Sequence, residues 1–207
     1  MSSGLDSVLL KDYFEDLWKR LPADLEPPEL ARRRDFLLRS PIAGERALDL
    51  GCGAGDFTEL LAQAGADVVG VDVAESAISR ARAAHPGLEF GVNELDGPLP
   101  FDDSTFALVW ASEVIEHVAD TARWLSEVRR VLIPRGRLLL TTPAHGRLAI
   151  ALHGVERYSE PLGDHLHLYT RRSLLGLLSD FDFAELEVRS VGGLPPLRRM
   201  LLASAVR

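Results

Sequence analysis

At 207 residues, 46% of them hydrophobic and 26% charged, the chain is long enough for one domain with a sizeable core and has an ordinary globular composition. A formal net charge of −8 argues against the broad basic face that nucleic acid normally requires, so no nucleic-acid partner is expected. A single cysteine, Cys52, excludes an intramolecular disulfide and a cysteine-based zinc site, while the lack of a long apolar run or a signal-peptide pattern at Met1-Ser2-Ser3-Gly4 sets the expectation of a cytoplasmic protein with no membrane partner. Leu5, Leu9, Phe14, Leu17, Trp18 and Leu21 fall at helical spacing and predict an amphipathic helix over 5–20. Pro22, Pro27 and Pro28 break it, because each proline removes a donor and restricts the residue before it. A second helix is predicted from Glu29 to Arg39, with Arg32-Arg33-Arg34 read as a solvated face.

Ala47-Leu48-Asp49-Leu50 reads as a buried strand. Phe57, Leu60, Leu61 and Ala64 recur at helical spacing behind it, so Gly51, Gly53 and Gly55 sit at a strand-to-helix turn. Alternating glycines open dihedrals closed to other residues and let a ligand approach the main chain, with a helix N-terminus just behind. The spacing is Gly-x-Gly-x-Gly, not the Gly-x-Gly-x-x-Gly that cradles a pyrophosphate, and Asp49 ahead of it repels a phosphate but suits an ammonium group. On these residues the chain resembles the class I S-adenosylmethionine-dependent methyltransferases, whose first motif is an acid followed by Gly-x-Gly-x-Gly. The resemblance implies an α/β fold of three-layer, Rossmann-like design. Its sheet would have seven mostly parallel strands with an antiparallel C-terminal hairpin, under an N-terminal helical cap. It also implies S-adenosylmethionine as cofactor and S-adenosylhomocysteine as product, with Asp49 on the ammonium and Gly51, Gly53 and Gly55 along the cofactor. Tyr13, Trp18 and Arg33 then come within reach of cofactor or substrate, although Trp18 reads better as packing the cap onto the core.

Asp67 to Val73 reads as a second strand ending in an acid, followed by a helix from Ala74 to Ala84. A carboxylate about 20 residues beyond the glycine turn can accept from a ribose diol, the role expected of Asp72. By the resemblance, Val73 flanks the adenine. Leu88 to Val92 reads as a third strand. The stretch before Leu99-Pro100-Phe101 resembles the family's third signature, in which an acid accepts from the adenine amino group; Glu94 takes that place, with Asp96 second, and the neighbouring amide of Leu95 serves a ring nitrogen. Thr105 to Ala111 continues as a fourth strand into Ser112-Glu113-Val114-Ile115-Glu116-His117-Val118. Here the chain resembles the subgroup containing the ubiquinone-biosynthesis O-methyltransferases, and Ser112 would lie near the cofactor's methionine part. Glu113 and His117 can share a helical face beside Glu116, but no third ligand is suggested and no metal is expected.

Trp124, Leu125, Val128, Val131 and Leu132 predict a core-facing helix that Pro134-Arg135-Gly136 turns into a strand from Arg137 to Thr142. Four of the chain's six histidines follow in the insertion 143–170: His145, His153, His165 and His167. Asp164 to Thr170 alternates, which points His165 and His167 to one side of an extended segment. Either is a candidate general base toward a hydroxyl or ammonium proton, because an unperturbed imidazole titrates near neutrality. Thr170 caps a helix carrying Leu174, Leu177, Leu178 and Phe181. Phe183 to Val191 and Met200 to Val206 read as two strands whose short connection demands an antiparallel pair.

The sequence therefore predicts a single domain: a cap at 1–40, a cofactor half at 45–142, a substrate lid at 143–170, and a closing helix and hairpin at 171–207. The expected activity is transfer of a methyl group to a small-molecule acceptor, oxygen favoured over nitrogen, as a monomer or homodimer. The rival readings are a nicotinamide-dependent reductase, a protein or RNA methyltransferase, and a non-catalytic protein that binds the cofactor.

Overall fold

The structure, a computed structural model, describes residues 3–22, 29–94, 97–146, 165–193 and 199–207. Leu95 and Asp96, the insertion residues 147–164 with His153 and Tyr158, the break at Pro27-Pro28 and the connection Leu194-Pro195-Pro196 lie outside the described residues.

The helices are α1 (Ser3–Arg20), α2 (Leu30–Leu37), α3 (Asp56–Gln63), α4 (Glu75–Ala84), α5 (Thr121–Val131) and α6 (Arg171–Asp180). The strands are β1 (Arg46–Leu50), β2 (Asp67–Asp72), β3 (Glu89–Val92), β4 (Phe106–Ser112), β5 (Leu132–Pro143), β6 (Ala184–Val191) and β7 (Met200–Val206). They form one seven-stranded sheet in the order β3-β2-β1-β4-β5-β7-β6. β1 to β5 pair in parallel, and β7 runs antiparallel to both β5 and β6, as the short connection before it requires.

The central strands are apolar on both sides because the sheet is covered on both faces. Leu48, Leu50, Val69, Val71, Val109, Ala111, Leu138 and Leu140 meet α5 and α6 in one core. The alternate residues Ala47, Val68, Leu108, Trp110 and Leu139 meet α2 and α3 in a second core on the other face. This period-two partition gives the three layers expected. Phe36 and Phe57 hold Trp110 at ring-centroid distances of 6.2 and 5.1 Å.

Helix starts follow local chemistry. Asp120 accepts from the Arg123 amide at 3.0 Å to cap α5, and Thr170 forms the expected cap of α6, exchanging bonds with Ser173 in a capping box. One expectation is corrected. Pro134-Arg135-Gly136 does not separate helix from strand, because β5 begins at Leu132, opposite Phe106, and resumes pairing at Arg137, opposite Leu108. The three residues form a bulge, with Arg135 at φ 64. The end of β7 pins it: Arg207 donates its amide to the Gly136 carbonyl at 2.9 Å and accepts from the Arg135 amide at 3.1 Å. Among the described residues, no helix is long and apolar enough to cross a membrane.

Candidate active site

The strand order reverses between β1 and β4, and the crevice beyond the carboxyl ends of an open α/β sheet at such a point is where ligands bind. Both chain segments leaving those ends meet there. Gly51, at φ +78, lies so close to Val114 that a Cβ would collide with its side chain. Gly53, at φ +54, would place a Cβ 2.7 Å from the Trp18 indole. The glycine turn thus combines left-handed backbone with close approach from two directions. Trp18 packs the cap onto the core, and it does so on the glycine turn itself.

Asp49 is 1% exposed and accepts from the Thr58 hydroxyl at 2.6 Å. Burial pushes its pKa up to about 7 against the Thr58 bond, and the neighbouring Asp72 and Asp56 charges add to the rise. Asp72 is 8% exposed, and its two oxygens accept from the Gly53 and Ala74 amides at 3.0 Å each. Burial raises its pKa while those amides oppose the rise. Each carboxylate oxygen offers two acceptor positions, so Asp72 retains capacity beyond these amides. Helix α1 closes this side: Glu15 accepts from the Ser76 amide at 3.1 Å, and Arg80 donates to the Leu21 carbonyl at 2.8 Å. Val73 is half-buried just past β2, whereas Glu94 is exposed past β3.

The structure brings Asp49, Gly51, Gly53 and Asp72 together at the ends of β1 and β2. Gly55, at φ 92, ends the turn as the N-cap of α3. Ser112 stands across the reversal, at the end of β4, and shares a 2.9 Å hydrogen bond with Thr141 of β5. Thr141 spends its own proton on Glu113 at 2.8 Å, so Ser112 is the donor to Thr141.

Beyond β4, Ile115–His117 forms one 3₁₀ turn. Glu113 meets the buried Arg33 of α2 at 3.4 Å; burial raises its pKa and Arg33 opposes this. Glu116 is fully buried, and one oxygen accepts from Thr142 at 2.9 Å. Burial, then the charge of Glu113, raises its pKa well above the usual carboxylate range.

Three histidines from three chain segments converge beside it. The His165 ring stands 5.1 Å from that of His117 and 5.7 Å from that of His145. His145 follows β5 and is fully buried; its Nδ1 accepts from the Tyr169 amide at 3.0 Å while its own amide donates to the Tyr169 carbonyl at 2.8 Å. An accepting Nδ1 makes this imidazole neutral with its proton on Nε2. Burial, then the two neighbouring imidazoles, lowers the His165 pKa to about 4, so His165 is neutral at physiological pH. His167 enters differently: its amide donates to the Glu116 carbonyl at 3.1 Å, and its ring lies 6.1 Å from Tyr169. Phe14 of α1 contacts His117 edge-on at 5.6 Å.

The two histidines singled out from the sequence thus both join the motif after β4, one through its ring and one through its backbone. Sequence reasoning gave no role to His145 and weighed His117 only as a metal ligand. Position at the carboxyl end of a strand was the available signal for both.

The donor set at the glycine turn fits S-adenosylmethionine. A cation and a diol are what two buried carboxylates with spare acceptor positions can take, and a pyrophosphate is what they repel.

A family model described as a methyltransferase domain matches residues 19–188. Relatives named ubiquinone biosynthesis O-methyltransferase include one from a Caulobacter species, 38% identical over 133 residues covering 59% of this chain and 51% of that protein. Another, from Pseudomonas aeruginosa, is 32% identical over 165 residues, 75% of this chain and 70% of the relative. The chain spans about half the length of the Caulobacter relative. A solved S-adenosylmethionine-dependent methyltransferase from Mesorhizobium loti superposes with a TM-score of 0.70 at 25% identity, covering 90% of this chain and 100% of that one. With a match that runs from the cap through β6, on a sheet that carries the acids and glycines at its reversal point, the chain belongs to the methyltransferase domain family.

Proposed function

We propose that the protein transfers the methyl group of S-adenosylmethionine to a small-molecule acceptor, oxygen favoured over nitrogen. The observation that carries this reading is that two buried carboxylates at the glycine turn and a histidine cluster after β4 and β5 both stand past the carboxyl ends of the strands at the sheet's reversal point. The bound sulfonium supplies an electrophilic methyl group. Asp49 is assigned the ammonium and Asp72 the ribose diol; Gly51, Gly53 and Gly55 provide close main-chain approach, Val73, Glu94 and Leu95 the adenine edge, and Ser112 the methionine part. Alignment of acceptor and methyl is the main service asked of the fold, and proton removal is the second. His165 and His167 are assigned that second task; His165, already neutral, has a free lone pair for a proton that leaves as the acceptor attacks. The net charge of −8 supports a small acceptor over a nucleic acid, and the names of the relatives support oxygen.

Calorimetric titration with S-adenosylmethionine, S-adenosylhomocysteine and NADH tests the cofactor. Binding of the first two with none of NADH is expected, followed by methyl transfer to members of a panel of phenols, acids and amines. NADH binding, or no binding at all, would overturn the assignment; cofactor binding without transfer to any acceptor would favour a non-catalytic role.

A further inference from the structure

Gly70 stands inside β2, where a glycine weakens a strand, and no left-handed φ requires it there. In the parallel ladder it lies opposite Asp49 of β1. A Cβ at Gly70 would meet the Thr58 hydroxyl oxygen at 2.7 Å, the Phe90 ring at 2.8 Å and the Cys52 Cβ at 3.0 Å. The missing side chain is therefore the space into which Thr58 reaches. Thr58 is fully buried in the first turn of α3, where a side chain points back toward the start of the helix. A helical threonine can return its hydroxyl to a carbonyl of the preceding turn; this one donates across to Asp49 Oδ2 at 2.6 Å. On the other side of Asp49 the residue opposite in register is Trp110 of β4, which carries no charge.

We propose that Thr58, given room by Gly70, is a positioning residue that fixes the Asp49 carboxylate, with Oδ2 spent on its hydroxyl and Oδ1 presented to a cationic group of the ligand. A buried carboxyl with one oxygen tied down has lost the rotation that would otherwise be frozen on binding. Its charge state depends on the same bond. Burial pushes Asp49 up, and the Asp72 charge at the end of β2 and the Asp56 charge at the start of α3 push the same way. The Cys52 thiol of the glycine turn, held protonated by its own burial, supplies no compensating charge. Against these the Thr58 hydroxyl, and more weakly the Thr58 amide, favour the ionised form. The hold on Asp49 is a property of the free protein; its consequence for binding rests on the proposed use of Asp49 for the ammonium of S-adenosylmethionine.

The test compares the wild type with Thr58→Val, which keeps the shape and the amide but removes the hydroxyl, and with Thr58→Ser, which restores it; circular dichroism reports that each has folded. In the free protein the Asp49 side-chain carbon is titrated by NMR, its resonance assigned by its loss in Asp49→Asn. Losing a hydrogen bond to a charged group should move the Asp49 titration up by about one pH unit in Thr58→Val and leave it near the wild-type value in Thr58→Ser. Calorimetry with S-adenosylhomocysteine, which carries the same ammonium group, should then show Thr58→Val binding about ninefold more weakly at pH 6 but only about twofold more weakly at pH 8, where most of the wild-type and half of the variant carboxyl is ionised. An Asp49 titration unmoved in folded Thr58→Val, or a binding deficit equal at the two pH values, means that Thr58 only fills space and overturns the proposal while leaving the methyltransferase reading standing. A moved titration in a protein that binds no S-adenosylhomocysteine would support the hold of Thr58 on Asp49 and overturn the cofactor reading.

Discussion

Binding of S-adenosylmethionine should expel a proton from Asp49. Its pKa of about 7 means that at pH 6 about nine-tenths of the free protein is protonated there. An ammonium group beside the carboxyl favours its ionised form and pulls the pKa down in the complex. With the bound pKa well below 6, each binding event releases about 0.9 proton at pH 6 and about 0.5 at pH 7, and affinity rises about fivefold between them. Calorimetry at pH 6 in two buffers of different ionisation enthalpy measures the proton count directly. Asp49→Asn can keep a hydrogen bond to Thr58 but has no proton to lose, so it isolates this group from Asp72. The stability of the cofactor-free protein carries the matching sign. Asp49 is held protonated above its unfolded pKa of about 3.9, so its contribution falls as pH rises from about 4 to about 7 and is gone above that. Buffer-independent heats in the wild type, or the same proton release from Asp49→Asn, would refute the ammonium assignment.

Asp72→Ala should weaken S-adenosylmethionine binding more than about tenfold by calorimetry, because it removes a charged acceptor from the diol; unchanged affinity takes Asp72 out of the site. His165→Ala and His167→Ala should lower turnover and leave cofactor affinity nearly intact. Full activity of both with the acceptor in hand would end their assignment to proton removal. Gly53→Ala forces a Cβ to within 2.7 Å of the Trp18 ring at a left-handed φ, and should cost about 1 kcal/mol or more in denaturant unfolding. Combining it with Trp18→Ala should recover the steric part of that loss, whereas strictly additive effects would mean that the two residues do not touch.

The half of the site built on β1 and β2 was legible because its chemistry lies in contiguous stretches. An apolar strand, an acid, alternating glycines and a second acid about 20 residues later constrain one another through local geometry alone. The histidine side was only half legible. Alternation around His165 and His167 was visible, but the meeting of His165 with His117 and His145 depends on β4 and β5 being neighbours, a relation that no local spacing records. The same holds for Trp18, whose hydrophobic spacing marked a buried face without saying that the face would be a glycine turn more than 30 residues downstream. The Pro134-Arg135-Gly136 bulge was misread as a boundary because proline and glycine mark a bulge and a turn with the same letters. Arg33 sat in a run of three arginines that looked solvated, yet it is buried against Glu113. A charge repeat cannot reveal which member finds a partner.

The reciprocal bonds between His145 and Tyr169 bear on how the protein could be altered. One of these residues follows β5 and the other precedes α6, and the pair is fastened by two hydrogen bonds, with His167 adding a third to Glu116. Whatever residues stand between them are a cassette with clamped ends. Doubling the length of such a segment costs only about 0.6 kcal/mol in closure entropy, so its sequence can be exchanged without disturbing the histidines fixed at its exits. A library confined to residues 147–164 would therefore vary the segment while keeping the His145–Tyr169 pair that fastens its two ends.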